Sequence, residues 1–107
     1  MGLGPYHPVR DLESALERGD LEMAIALSKD VAREHGRPIH IALALRLLAL
    51  VATQRHEEYD RWARRWLVRW LSETLGATIE QAAEITGALA DLPEEPRSME
   101  AILQALR

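Results

Sequence analysis

Apolar positions along this chain come in helical periods, and one stretch is apolar on nearly every side. Ile39 to Ala52 reads IHIALALRLLALVA, with His40 and Arg46 as its two polar residues and no Gly or Pro. A helix of that composition belongs in the middle of a core or under a partner chain. The stretches around it alternate apolar stripes with charged faces. Val9, Leu12, Ala15 and Leu16 form one stripe of a helix predicted from Pro8 to Arg18, since Pro suits a first turn. Gly19 stops that helix and Asp20 caps the next, which runs from Leu21 to about His35 and buries Leu21, Ala24, Ile25, Leu27, Ser28, Val31 and Ala32.

Gly36-Arg37-Pro38 closes helix two and opens helix three, with Pro38 placed in the new first turn. Helix three extends to about Thr53, and Gln54-Arg55-His56 connects it to a fourth helix, from about Glu57 to Leu75, that Gly76 ends. Helix five begins at Thr78-Ile79-Glu80-Gln81, which has capping-box spacing, and reaches about Asp91. The stretch Leu92-Pro93-Glu94-Glu95-Pro96 is a loop, because its prolines break a helical ladder. Ser98 is placed as the cap of helix six, which packs through Met99, Ile102, Leu103 and Leu106. Gly87, inside helix five, costs about 1 kcal/mol relative to Ala. A close approach by another helix over Thr86-Gly87-Ala88 is the expected reason for it.

Six helices with short connections predict an all-α domain over residues 8–107, built as three antiparallel αα-hairpins, with residues 1–7 as an N-terminal arm. Residues 12–32, LESALERGDLEMAIALSKDVA, have a Gly-Asp turn followed by an Ala-x-x-Leu rhythm. This pair resembles a tetratricopeptide-type helical hairpin. It lacks that repeat's Trp-x-x-Leu-Gly signature, and the second pair does not repeat the first. The resemblance implies stacking of helix pairs; a compact bundle satisfies the same pattern.

Composition narrows the function classes. There is no Cys among the 107 residues, which removes disulfides, thiol chemistry and Cys-ligated zinc and fits a cytoplasmic protein. Net charge is −4, against a general nucleic-acid or anionic-membrane binder. Six of the acidic residues and only two basic ones fall between Gly76 and Arg107. The opening MGLGPYHPVR has no apolar signal-like run, and the Ile39–Ala52 stretch is shorter than a bilayer span of roughly 18 residues.

Helix four has the most distinctive surface. Trp62, Trp66 and Trp70 recur every four residues as an aromatic ridge, and Arg61, Arg65 and Arg69 form a second ridge beside it. Helix packing explains the first ridge and solvation the second, with Glu57–Arg61, Asp60–Arg64 and Arg69–Glu73 as candidate pairs one turn apart. Trp and Arg also concentrate binding energy at interfaces, so these six residues are the candidate interaction surface. Arg46, alone in helix three, marks either an exposed strip or a buried cation paired with Asp60 or Glu84.

No motif supports catalysis. Ser14, Ser28, Ser72 and Ser98 have no partner pattern around them, and there is no Gly-rich phosphate loop. His7, His35, His40 and His56 do not fall at ligand spacing, so no metal and no cofactor is expected. The expected function is therefore non-catalytic: a protein-protein interaction or regulatory helical module, with a protein partner or self-association as a homodimer. The alternatives are a nucleic-acid binder using the Arg/Trp helix 57–75 and a small-ligand site between helices three and four. Apolar supply is the positive support, since these stripes together exceed what one small core encloses.

Overall fold

The computed structural model describes residues 8–106, and the arm expected over residues 1–7 lies outside that range. The described residues are all-α. In chain order the helices are α1 (Pro8–Arg18), α2 (Leu21–His35), α3 (Ile41–Gln54), α4 (Tyr59–Glu73), α5 (Ile79–Asp91) and α6 (Ser98–Ala105), with one 3-10 turn at His56–Glu58 ahead of α4.

Most helix ends follow the local chemistry. Asp20 Oδ1 accepts from the Met23 N–H at 3.1 Å, one of the four orphan donors at the start of α2. Gly36 ends α2 with φ +68°, a left-handed conformation that would strain any residue with a Cβ. Thr78 and Gln81 form the expected capping box, with bonds of 3.0 and 2.9 Å.

Two starts differ from expectation. Pro38 precedes α3 instead of entering its first turn; His40 is the cap, and its Nδ1 accepts from the Ala42 N–H at 3.1 Å. Ser98 is the first residue of α6 and makes no cap bond. Backbone turns have already satisfied that end: the Ser98, Met99 and Glu100 N–H groups donate to the carbonyls of Glu95, Pro96 and Arg97 at 3.0 to 3.1 Å.

The helices pair in sequence. α1 packs on α2, α3 on α4 and α5 on α6, while contacts between successive pairs are sparser. α3 is the junction, touching α1, α2 and α4. Its Leu45 and Val51 are fully enclosed, and Leu47, Leu48 and Ala52 are buried with them. Ile41 to Ala44, Ala49 and Leu50 are half-buried, so the helix is covered on most sides, as its composition requires. Arg46 is half-buried and forms no ion pair with any described residue, so neither Asp60 nor Glu84 partners it.

The third pair is attached differently. α5 reaches the rest of the chain mainly through α4. The molecule is accordingly elongated, 54 × 30 × 21 Å, with a radius of gyration of 14.6 Å. A spherical domain of this length would have about 13 Å.

The Tyr59 hydroxyl closes the α4–α5 joint, donating to the Leu89 carbonyl at 2.6 Å in a buried setting. Four residues after Leu89 stands Pro93, which has no N–H to offer. Tyr59 supplies the donor that the proline withholds.

The close helix approach expected at Gly87 is absent. A Cβ built there would meet nothing within 4 Å, and the residue is exposed. Nothing in the structure explains the glycine at this position.

Candidate functional site

α2 and α4 both pack on α3 and make at most a glancing contact with each other. The space left between them is a groove of about 660 Å3, floored by α3 and partly open to solvent. Ala44, Leu47 and Leu48 form the floor, Ile25 and Ser28 line the α2 wall, and Trp62 and Trp66 line the α4 wall. Lys29 stands on the α2 side, Arg65 and Arg69 on the α4 side, and Arg55 at the end of α3.

The rotation of α4 decides which candidate residues reach the groove. Residues four apart on an α-helix are offset by about 40°, so a ridge at that spacing winds around the axis. Trp62 and Trp66 face the groove, while Trp70 has turned to border a separate polar cleft with Gln81, Glu84 and Gln104. The arginine ridge winds the same way. Arg61 points outward and Arg65 and Arg69 line the groove. The six candidate residues therefore do not form one surface: Trp62, Trp66, Arg65 and Arg69 come together, and Trp70 and Arg61 go elsewhere.

The aromatic side chains contribute to both core and groove. Trp66 is 5% exposed, and its Nε1 donates to the Ile41 carbonyl at 3.1 Å, which fixes the ring across the start of α3. Trp70 is buried, and Trp62 is half-buried.

Most cations near the groove are already paired. Arg69 Nε meets Glu73 Oε2 at 2.6 Å, and Arg64 Nε meets Asp60 Oδ2 at 2.8 Å, both as expected from spacing. Arg61 pairs with Glu58 at 3.0 Å in place of Glu57, because the chain at Glu57 and Glu58 is a 3-10 turn that redirects those side chains. Arg55 meets Glu22 and, at 3.9 Å, Glu58. Lys29 and Arg65, on opposite walls, form no ion pair with any described residue.

The sequence offered no signal for Ile25, Lys29 and Arg55 as site residues, because the α2 wall depends on how two hairpins meet. Of the three Trp residues that the spacing singled out, Trp62 and Trp66 line the groove.

Further aliphatic side chains are exposed toward the end of α4 and just beyond it. Val68, Leu71, Leu75 and, at the start of α5, Ile79 are exposed, with Leu75 and Ile79 at 95% and 88%. No described helix is long and apolar enough to cross a membrane.

No protein-family model, curated protein or solved structure matches this chain.

Proposed function

We propose that this chain is a non-catalytic interaction module, and that the groove between α2, α3 and α4 receives a helix of its protein partner. One observation carries the reading: a concavity of about 660 Å3, walled by Ile25, Leu47, Leu48, Trp62 and Trp66, that no element of the described chain fills. Apolar surface left unfilled beside a packed core is favourable to cover, at about 25 cal/mol per Å2. The groove is only partly enclosed, which suits the face of an entering helix better than the enclosure a small ligand needs.

The groove chemistry supports binding over catalysis. Ser28 is its one hydroxyl, and that hydroxyl already donates to the Ile25 carbonyl at 2.7 Å. The ion pairs on Arg61, Arg64 and Arg69 engage most of the charge that a nucleic-acid contact along α4 would use.

Display of a library of amphipathic helices against the full chain tests this. The expected result is enrichment of helices whose binding disappears in an Ala44→Trp variant, where the new ring fills the groove. Failure to enrich any helix, or binders indifferent to Ala44→Trp, overturns it.

Self-association is a second reading, favoured by the exposed aliphatic side chains of Val68 and Leu71 on α4, Leu75 in the turn after it and Ile79 at the start of α5. Four aliphatic side chains offer on the order of 400 Å2, at about 100 Å2 each. A stable interface buries roughly 800 Å2 per partner. On this reading two copies meet weakly, along antiparallel α4 helices, and separate on dilution.

A further inference from the structure

We propose that the helix taken by the groove is acidic, with carboxylates flanking its apolar face on both sides. This rests on the groove being the binding surface and adds the chemistry of what binds there.

The argument starts from charge. The chain carries a net charge of −4, yet every charged residue lining this groove is a cation: Lys29, Arg55, Arg65 and Arg69. The carboxylates that pair with Arg55 and Arg69 belong to Glu22, Glu58 and Glu73, none of which lines it. Lys29 and Arg65 remain without a carboxylate among the described residues, and they stand on opposite walls. A neighbouring cleft, which shares Pro38 and Arg69 with the groove, holds Arg37 together with the carboxylate of Glu73 and so adds no net charge. An overall acidic protein thus presents a groove whose two unneutralised charges, Lys29 and Arg65, are both positive. Such a site attracts anionic partners and rejects cationic ones.

The geometry sets the form of the partner. The α4 wall runs from Trp62 to Arg69, and at about 1.5 Å per residue that is roughly two helical turns. Two turns present apolar side chains at i, i+4 and i+7 to the floor formed by Ala44, Leu47 and Leu48. Residues on either edge of that face then lie toward Lys29 on one side and Arg65 on the other. Glu or Asp at those edges meets an unpaired cation on each wall, and the pairs at the rim fix orientation and register.

The acidic last third of a second copy of this chain is the competing occupant. Docking the α5–α6 end of one molecule into the α2–α4 groove of another gives a reciprocal two-fold dimer or a longer head-to-tail assembly. Light scattering that shows either, lost on Ala44→Trp, overturns the assignment to a helix of a different protein.

Three stapled helices, each about four turns long with the same Leu face, test the proposal. Their edge positions carry Glu, Gln or Lys. Binding to the full chain is followed by the fluorescence of Trp62 and Trp66, at low and at physiological salt. The Glu helix is expected to bind at least about tenfold tighter than the Lys helix, with the Gln helix between them and the preference shrinking as salt rises. Lys29→Glu with Arg65→Glu, two exposed substitutions that leave the folding midpoint unchanged, is expected to reverse the order. Equal binding of all three helices, or a preference that survives the double substitution, overturns the acidic partner while leaving the groove reading intact. If none of the three binds and Ala44→Trp changes nothing, the groove reading itself fails. Tighter binding of a medium-chain carboxylate such as decanoate than of any helix identifies a lipid-like ligand and overturns the proposal.

Discussion

Replacing Tyr59 with Phe should loosen one end of the molecule and leave the other untouched. The substitution removes a single hydroxyl, the one that donates to the Leu89 carbonyl at 2.6 Å. A buried hydrogen bond contributes about 0.5–1.5 kcal/mol net. The carbonyl is not left wholly unpaired, because the Leu92 N–H also approaches it, at 3.3 Å. The expected cost is therefore about 1 kcal/mol. Since α5 and α6 reach the remainder mainly through α4, this loss should appear as easier detachment of the α5–α6 pair. Amide hydrogen exchange would report it: about a fivefold rise across Ile79 to Ala105, with α1, α2 and α3 unchanged. A uniform rise over all helices would show that the third pair unfolds with the rest, and no change at all would show that the hydroxyl contributes nothing.

The same side chain makes a second, opposite-signed prediction in alkali. Burial pushes the Tyr59 hydroxyl up to about 12, from an ordinary value near 10. Below pH 10 both states are protonated and the group adds no pH dependence. Above it the unfolded chain loses the proton first, so stability falls as pH rises toward 12, by about 3 kcal/mol in all. Tyr59→Phe has no such loss, and other titrating groups cancel in the comparison. The wild-type chain should be the more stable of the two at pH 8, equal between pH 10 and 11, and the less stable at pH 12. Urea unfolding followed by circular dichroism at those pH values checks the crossover, and parallel curves would refute it.

The remaining predictions concern packing. Trp66→Ala should cost about 3–5 kcal/mol in urea unfolding, because it empties a buried site and removes the donor to Ile41, whereas the half-buried Trp62 should cost less than about 2 kcal/mol and chiefly weaken helix binding. Gly87→Ala should stabilise by about 0.5–1 kcal/mol, since the added methyl meets open space in a helix interior; destabilisation would reveal a neighbour at that position. Light scattering over a dilution series should show a monomer at low micromolar concentration, with weak association at high concentration that Val68→Ser with Leu75→Ser abolishes.

How far the sequence disclosed this molecule follows from the range of the interactions involved. Helices α1, α2 and α5 end where Gly, Asp and Thr-x-x-Gln signals place them, because caps act within one turn. Ser98 misled because a backbone turn can satisfy the same N–H groups, and Gly87 because a glycine need not mark a contact. The bond from Gln54 Nε2 to the Gly19 carbonyl, 2.7 Å and 35 residues apart, had no local signature. Pro93 did contain one: a proline four residues after Leu89 leaves a carbonyl short of a donor, and a buried Tyr is a natural source. The Trp ridge was legible as a period and illegible as a surface, since 40° of drift per step separates Trp62 from Trp70. The α2 wall of the groove was beyond reach, because it depends on the placement of one hairpin against the next.

The floor of the groove ties binding to stability in one part of the molecule only. Leu47 and Leu48 are core residues, 5% and 2% exposed, and they also line the groove. Trp66 is held at its wall by the bond to Ile41. The walls and floor are therefore already ordered by folding, and a partner helix need not reorganise them, which removes one of the usual costs of association. A ligand that binds only the folded form stabilises it by about 2.7 kcal/mol at one hundred times its dissociation constant. That gain should fall on α2, α3 and α4, which form the groove, and pass by α5 and α6, which reach it mainly through α4. Hydrogen exchange of the full chain with bound Glu helix should thus slow in the first four helices and stay unchanged from Ile79 onward. Equal protection of both regions would mean that the Tyr59 joint transmits the stabilisation, and that the third hairpin is part of the same cooperative unit.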